Sequence, residues 1–218
     1  MIPGEEVFRA FLQRRTGFVM PEDRWRFLAP RFLGRLGDRG FSDVGAFVRY
    51  LEHDPRGRTE LEEIYNILTV RKTSFFRNPS TFAALERDVL PRLLAERRSR
   101  QPVAIWSAGC STGEEAHSIA MVAKEVLGPT EHHFHVLATD IVKEALARGR
   151  EGVYPEASLQ EVPAAFHRYL RHGAGTASVV DGVRRHIEYT THNLASDPAP
   201  RSPTGSWDVI FCRNVLIY

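Results

Sequence analysis

The stretch Ile105-Trp-Ser-Ala-Gly-Cys-Ser-Thr-Gly-Glu-Glu115 decides the fold of this chain. The apolar residues 103–106 predict a short buried strand, and a helix is predicted to begin near Glu114. Between them, Gly109 and Gly113 carry no Cβ, so the backbone can adopt unusual dihedral angles and approach a ligand closely. Doubly wound α/β folds use a strand, a glycine-containing turn and a helix to hold nucleotide-like cofactors.

The residues that follow the second glycine indicate the class of cofactor. A phosphate-binding P-loop has Lys and then Ser or Thr at this point, whereas this chain has Glu114 and Glu115. Two carboxylates repel phosphate and suit a ligand that carries an ammonium or a sulfonium group. The Gly-x-x-x-Gly spacing also differs from the Gly-x-Gly-x-x-Gly of dinucleotide-binding folds. We therefore expect S-adenosylmethionine rather than ATP or NAD.

The composition narrows the class of protein. The chain has 218 residues, 43% of them hydrophobic, and a formal net charge of +2. These values are typical of a globular protein, and the charge is too small to indicate a nucleic-acid partner. No apolar run approaches the roughly 20 residues of a membrane span, and the first residues lack the pattern of a signal peptide. With only Cys110 and Cys212, far apart, we expect reduced thiols and a cytoplasmic protein without a transmembrane segment.

Three histidines close together raise the question of a metal site. His132, His133 and His135 have no carboxylate or thiolate that would complete a ligand set. We therefore interpret this segment as a surface loop and expect no metal.

The first part of the chain is predicted to be an all-helical domain, residues 1–72. Apolar residues recur at helical spacing, which predicts helices at about 5–15, 22–37, 44–52 and 60–68. Pro30 predicts a kink or two short helices, and Ser42 is expected to cap the third helix. Residues 73–100 are interpreted as a linker and a junction helix that begins at Asn78-Pro79.

From residue 101 to 218 the pattern changes to α/β. Strands are predicted at 103–106, 134–138 and 208–212, with helices at 114–127 and from Lys143 onward. The β-branched residues of 176–192 predict a small antiparallel hairpin and a return strand that ends at Asn193. Alternating strands and helices indicate a parallel sheet with right-handed crossovers.

Polar residues follow each predicted strand of this sheet. They are the glycine turn at 109–115, Asp140, Asn193-Leu194 and Arg213-Asn214. Ligands of such sheets bind outside the carboxyl ends of the strands, so these segments are candidates for one cofactor site. Asp140, after the second strand, is expected to accept hydrogen bonds from both ribose hydroxyls.

Five segments, in order, resemble the bacterial chemotaxis-receptor glutamate O-methyltransferases, the CheR family. They are Thr73-Ser-Phe-Phe-Arg77, Trp106–Glu115, Ala138-Thr-Asp140, Asn193-Leu194 and Phe211–Tyr218. The resemblance covers nearly the whole chain, including the helical N-terminal domain. It implies a doubly wound, Rossmann-like methyltransferase sheet and S-adenosylmethionine as methyl donor. It also implies O-methylation of glutamate side chains on the cytoplasmic helices of chemoreceptors.

The resemblance assigns roles in cofactor binding. Glu115 would meet the methionine amino group and Asp140 the ribose, beside the turn of Gly109 and Gly113. The remaining cofactor residues would be Thr73 and Arg77, at the domain junction, and Asn193-Leu194 and Arg213-Asn214, which flank the adenine and the methionine portion.

The resemblance also assigns roles toward the substrate. Arg77 would orient the substrate carboxylate, and Tyr218 would lie near the transferred methyl group. A small β-subdomain at about 170–190 matches the part of the family that can grip a receptor tail peptide. Independently, Arg31, Arg35 and Arg39 recur every four residues. They form either a solvated face or a basic stripe in which Arg31 and Arg35 dock an acidic receptor helix.

The chain departs from the family pattern at three places. Arg71 stands where Asn is frequent, and Ala116-His117 where Pro-Tyr is common. The chain also stops at Tyr218, before the family's last strands. We therefore expect a fragment whose strand 208–212 keeps an open edge. Two alternatives remain at this point: a catalytically weak methyltransferase-like sensing or scaffold domain, and an oxidoreductase on the same fold.

Overall fold

A computed structural model describes residues 4–69, 73–96, 101–128 and 134–215. Their contacts divide the chain into two compact units. One, the helical unit, contains residues 4–69 together with Asn193–Pro198 and Val215; the other, the α/β unit, contains the described residues between 73 and 192 and Ala199–Asn214. The residues at 73–96, interpreted from sequence as linker and junction helix, therefore group with the α/β unit.

The helical unit contains four α-helices. They are α1 (Glu5–Thr16), α2 (Glu22–Asp38), α3 (Val44–His53) and α4 (Pro55–Leu68). The Phe8 ring lies at their centre, 5.8 Å from the ring of Phe32, 6.0 Å from Phe47 and 6.5 Å from Trp25. Val7, also on α1, is 51% exposed.

Helix α2 passes through Pro30 as one element, so the alternative of two short helices is wrong. Proline removes one backbone hydrogen bond and crowds the preceding turn. Trp25 and Phe32, one on each side of Pro30, are both buried in the same core. Burial of these two aromatic side chains offsets the loss of that bond, because helices in proteins are stabilised mainly by the packing of their apolar face.

The caps of α3 and α4 differ from the sequence prediction. Asp43, not Ser42, caps α3, because its Oδ2 accepts a 2.7 Å hydrogen bond from the Ala46 N–H. Asp54 ends α3 and its side chain also caps α4 by accepting from the Arg56 N–H at 2.8 Å. Pro55 is therefore the first residue of α4, a position that needs no N–H donor.

The α/β unit begins with a continuous helical segment. Helix α5 (Pro79–Ala84) leads through a π-helical turn at Leu85–Val89 into α6 (Leu90–Glu96). The elements that follow are β1 (Val103–Ala108), α7 (Glu114–Leu127), β2 (Phe134–Asp140), α8 (Lys143–Glu151), β3 (Val153–Pro155), β4 (Leu170–His172), β5 (Thr176–Val179), α9 (Asp181–Arg184), β6 (Ile187–Thr191) and β7 (Val209–Cys212).

The main sheet is parallel, in the order β6-β2-β1-β7. This confirms the predicted α/β class with an additional all-helical part. Strand β1 is buried along its whole length, as expected for a central strand covered on both faces. Strand β7 pairs with β1 alone within the described residues, and its Ile210 is 53% exposed.

A second, antiparallel sheet has the order β3-β5-β4. It extends from Val153 to Val179, so the range of 170–190 given to the β-subdomain overlaps it only in part. Helix α9 separates β5 from β6, and β6 pairs with β2 in the main sheet. Strands β5 and β6 both contain β-branched residues, and this composition alone does not determine which sheet a strand joins.

Among the described residues, no helix has both the length and the apolar character that crossing a membrane requires.

Candidate cofactor and active site

The glycine turn connects β1 to α7 at the carboxyl edge of the sheet. Gly109 and Gly113 have φ angles of 78° and 93°, in the left-handed region that glycine tolerates. The N–H groups of Gly109 and Cys110 both donate to the Thr139 carbonyl oxygen at 2.8 Å. A Cβ on Gly113 would lie 2.7 Å from the Tyr189 Oη. Glycine is therefore required at residue 113 for both its backbone angle and its space.

Asp140, at the end of β2, contacts this turn through both carboxylate oxygens. Its Oδ2 accepts from the Ser111 N–H at 2.8 Å and its Oδ1 from the Val142 N–H at 2.9 Å. Its carboxylate is thereby held beside the turn at the carboxyl end of β2, and carboxylate oxygens are acceptors of the kind that ribose hydroxyls require. The buried Ser111 Oγ has no hydrogen-bond partner among the described residues, and a ligand can supply one.

Glu115, in the first turn of α7, is a largely buried carboxylate beside an arginine. Its Oε1 accepts from Ser107 Oγ at 2.8 Å, and its Oε2 lies 3.4 Å from Arg213 Nη1. Burial raises the pKa of Glu115, and the Ser107 hydrogen bond and the charges of Arg213 and Arg77 offset this only in part. An ammonium group on a ligand would stabilise the ionised form of Glu115. This position can therefore bind such a ligand.

Glu114 has a different environment from Glu115. Its Oε2 accepts from Thr112 Oγ1 at 2.7 Å. Burial raises the pKa of Glu114, and the Thr112 hydrogen bond lowers it by a smaller amount. Glu114 is thus paired within the turn, which leaves Glu115 as the carboxylate beside the arginines.

Arg77 lies in the same unit, on the segment that precedes α5. Its carbonyl oxygen accepts from Arg213 Nη2 at 2.7 Å, and its charge lowers the pKa of Glu115. A cavity of about 580 Å³ opens beside it, lined by Thr73, Ser74, Arg77, Asn78, Pro79 and Glu161. Ser74 Oγ donates a 2.6 Å hydrogen bond to Glu161 Oε2, although the two residues are far apart in sequence. The cavity thus has one cationic and one anionic side chain in its wall.

These groups fit S-adenosylmethionine rather than a phosphate-bearing cofactor. The turn supplies two buried carboxylates, Glu114 and Glu115, at the start of a helix. Phosphate binding at a helix N-terminus needs N–H donors without such negative charge. Asp140 supplies a carboxylate acceptor at the turn, and the buried Ser111 hydroxyl, which has no hydrogen-bond partner in the described part of the chain, adds one more polar group.

Comparison with known proteins gives the family. Residues 71–218 match the CheR methyltransferase SAM binding domain, and residues 5–69 match the CheR methyltransferase all-alpha domain. The chain belongs to the CheR methyltransferase family. Its cofactor is S-adenosylmethionine and its enzyme class is methyltransferase, as the sequence predicted. The oxidoreductase that the fold alone allowed is not supported.

Relatives of this CheR chain carry names from chemotaxis. It is 37% identical to chemotaxis protein methyltransferase 2 of Pseudomonas aeruginosa, over 96% of this chain and 74% of that protein. It is 33% identical to the chemotaxis protein methyltransferase of Listeria monocytogenes, over 100% of this chain and 81% of that protein. The chemotaxis protein methyltransferase of Escherichia coli is 32% identical, over 95% and 71%.

The α/β unit of this CheR chain contains most of the predicted cofactor residues. They are Thr73, Arg77, Gly109, Gly113, Glu115, Asp140, Arg213 and Asn214. Asn193 and Leu194 belong instead to the helical unit, where Asn193 Nδ2 donates to the Arg15 carbonyl oxygen at 2.7 Å. Tyr218, Arg71, His132 and His133 lie outside the described residues. The roles of all these residues stay predictions.

Arg31 and Arg35, predicted to meet a receptor, differ in their surroundings. Arg35 Nε donates to Glu60 Oε1, and Arg39 Nε donates to Glu60 Oε2 at 2.6 Å. Burial opposes ionisation of Glu60, yet these two hydrogen bonds outweigh it and lower the Glu60 pKa. Arg31 is exposed, with its guanidinium 5.3 Å from the centre of the Phe27 ring. Arg35 thus has a partner in its own unit, and Arg31 is the more available of the two.

Four residues around the turn were given no role by the sequence analysis: Ser107, His117, Tyr154 and Tyr189. His117 is fully buried, and burial lowers its pKa to about 3, so the ring is neutral near pH 7. Its Nδ1 lies 2.9 Å from the Gly113 carbonyl oxygen and 3.1 Å from Tyr154 Oη. Tyr154 Oη donates to the Thr112 carbonyl oxygen at 2.7 Å. His117, at the departure from the family pattern, thus packs beneath the turn.

Two of these positions, Ser107 and His117, had a signal in the sequence, His117 as part of the departure from the family pattern. Ser107 is a polar residue in an otherwise apolar strand, directly before the glycine turn. Tyr154 and Tyr189 are distant from the turn along the chain, so no local pattern connects them to it.

Proposed function

We propose that this chain transfers the methyl group of S-adenosylmethionine to glutamate side chains on the cytoplasmic helices of chemoreceptors. The products are glutamyl methyl esters, which serve chemosensory adaptation. The main support is the grouping of Arg77 and Arg213 beside the buried Glu115 in a CheR-family domain. The chemotaxis names of the relatives support the choice of receptor.

Methyl transfer to a carboxylate depends on the orientation of the reacting groups more than on acid–base catalysis. A glutamate carboxylate has a pKa of about 4.3 and is ionised at pH 7, so no general base is needed. The bound cofactor supplies a methyl group that its sulfonium already makes electrophilic. Holding reacting groups in line and away from water can contribute about 7–11 kcal/mol.

Arg77 is the residue we assign to orienting the substrate carboxylate. Its planar guanidinium can hold a carboxylate through two parallel hydrogen bonds, and it lines the open cavity of about 580 Å³. Glu161 in the same wall would repel a carboxylate that entered on its side. The cavity therefore favours one orientation of a substrate glutamate, with its carboxylate toward Arg77. Tyr218 is assigned a place near the transferred methyl by the resemblance alone.

The remaining site roles follow the resemblance residue by residue. We propose that Asp140 binds ribose, Glu115 binds the methionine ammonium, and the turn of Gly109 and Gly113 lies against the cofactor. Thr73, Asn193-Leu194 and Arg213-Asn214 are proposed to complete the cofactor site.

The proposed partners are chemoreceptor helices, met in the cytoplasm. Arg31 offers them an exposed positive charge on α2. The antiparallel sheet offers a second contact for a receptor tail peptide, because β3 and β4 lie at its edges. An exposed edge can pair with an extended peptide by strand addition.

The decisive experiment combines cofactor binding and methyl transfer. S-Adenosylhomocysteine is titrated into the wild-type chain, Asp140→Ala and the exposed control Asp88→Ala by calorimetry. Transfer of a radiolabelled methyl group to a receptor cytoplasmic fragment is measured on the same samples. We expect binding and transfer in the wild type and Asp88→Ala, and loss of both in Asp140→Ala. Binding without any transfer would favour a sensing or scaffold domain instead.

A further inference from the structure

The segment that carries Arg77 has an unusual backbone. Phe76 and Asn78, on either side of Arg77, have φ angles of 51° and 63°. Asparagine adopts the left-handed region with some frequency, but a bulky aromatic residue does so rarely. Such a conformation persists only where surrounding contacts impose it. The direction of Arg77 therefore depends on whatever holds Phe76.

Phe76 is held by its side chain and by its amide. The ring is buried, with its centre 5.2 Å from that of Phe82 and 4.7 Å from that of Phe166. The Phe76 N–H donates to Ser118 Oγ at 3.0 Å. Ring packing fixes the position of the side chain, while the hydrogen bond fixes the rotation of the peptide plane before it.

Ser118 joins this segment to the cofactor-binding helix. It is fully buried in α7, and its Oγ donates to the Glu114 carbonyl oxygen at 2.7 Å. Serine in a helix commonly bonds to the carbonyl four residues earlier. The hydroxyl has one hydrogen and two acceptor positions, so this bond leaves it free to accept from Phe76.

A second connection runs through Arg213. Its Nη2 donates to the Arg77 carbonyl oxygen at 2.7 Å, and its Nη1 lies 3.4 Å from Glu115 Oε2. The segment is thus tied to the first turn of α7 on both sides of the peptide that joins Phe76 to Arg77. Of these two connections, the hydrogen bond between the Phe76 amide and the fully buried Ser118 involves no charged side chain.

We propose that Ser118 is a positioning residue for methyl transfer, whose hydroxyl holds the left-handed Phe76 backbone and so aims Arg77 relative to the first turn of α7. The proposal rests on the proposed function only in the role given to Arg77. Removal of Oγ leaves a buried N–H without its acceptor, which is a costly state. The segment then relaxes, while the glycine turn and Asp140 keep their own hydrogen bonds.

The test compares wild type, Ser118→Ala and Val122→Ala. Val122 is buried one turn later in α7, so its truncation removes buried packing but leaves the Ser118 hydroxyl and its bond to the Phe76 amide in place. Three quantities are measured: kcat and KM for a receptor fragment, the Kd of S-adenosylhomocysteine, and hydrogen exchange at the Phe76 amide. In Ser118→Ala we expect kcat to fall about tenfold to a hundredfold, as small misplacements of reacting groups do. We expect the Kd to change less than about threefold and exchange at Phe76 to accelerate, since the bond that protected it is gone.

Val122→Ala should be less stable but retain the wild-type kcat and the wild-type exchange at Phe76. Ser118→Cys keeps nearly the same volume with a much weaker acceptor, and it replaces Ser118→Ala if that variant does not fold. The proposal is overturned if kcat of the folded variant equals that of wild type, or if Phe76 exchange is unchanged. Absence of transfer by the wild type would instead count against the proposed function, while the exchange at Phe76 would still decide whether Ser118 holds the segment.

Discussion

Ser107 Oγ donates a 2.8 Å hydrogen bond to Glu115 Oε1. Ser107 belongs to β1 and Glu115 to the first turn of α7, so the bond crosses the glycine turn that joins them. Both residues are largely buried. The strand thus sets the direction of the carboxylate that we assign to the methionine ammonium.

Replacing Ser107 by Ala should weaken cofactor binding. Loss of a hydrogen bond to a charged group costs about 1.5 kcal/mol at the low end of its range, which corresponds to a Kd about tenfold higher. Calorimetric titration with S-adenosylhomocysteine measures the Kd of this variant. Ser158→Ala, which removes an exposed hydroxyl bonded to the Pro155 carbonyl oxygen, should leave the Kd unchanged. If Ser107→Ala binds S-adenosylhomocysteine with the wild-type Kd, the assignment of Glu115 to cofactor binding is wrong.

Glu115→Gln should stabilise the cofactor-free chain and weaken cofactor binding. Burial raises the pKa of Glu115 in the folded state, so protonation favours folding. The stabilisation is present below the unfolded pKa and is lost as the pH rises through the folded pKa. The neutral variant therefore should show a higher Tm than wild type at pH 8, with a smaller difference at pH 5. Thermal unfolding at both values tests this, and a lower Tm at pH 8 would contradict the direction of the shift.

Arg77→Ala should lose most methyl transfer. The variant removes the guanidinium that we assign to the substrate carboxylate, so we expect kcat/KM to fall by a factor of a hundred or more. Arg77→Lys should recover only part of it, since an ammonium cannot form the same pair of parallel bonds. Arg87→Ala, on an exposed part of the following helix, is the matched control. Near-normal turnover in Arg77→Ala would remove Arg77 from the mechanism.

Arg31→Glu should raise the KM for the receptor fragment and leave the Kd of S-adenosylhomocysteine unchanged. Arg31 is exposed, and electrostatic contacts with an acidic helix weaken when the charge is reversed. Arg35 is unsuitable for the same test because it pairs with the buried Glu60, and a buried charge without its partner destabilises the fold. A KM for Arg31→Glu equal to that of wild type would leave the basic stripe as a solvated face.

Local sequence patterns were sufficient to predict the strand and the helix on either side of the glycine turn. Helix α7 begins at Glu114 and ends at Leu127, as predicted, because a glycine turn precedes a long apolar repeat. Patterns were insufficient at Ser42, where Asp43 competes for the same cap with a better-placed carboxylate. They were also insufficient at Pro30, where tertiary burial of Trp25 and Phe32 outweighs a local helix breaker.

The sequence by itself determined the family, the cofactor class and the α/β sheet with its helical companion. These depend on short motifs and on hydrophobic periodicity, which are local properties of the chain. The tertiary structure alone decided which strands form the second sheet, that Arg35 pairs with Glu60, and that Ser118 binds the Phe76 amide. Each of these joins residues far apart in sequence, and their pairing follows from packing that no local pattern encodes.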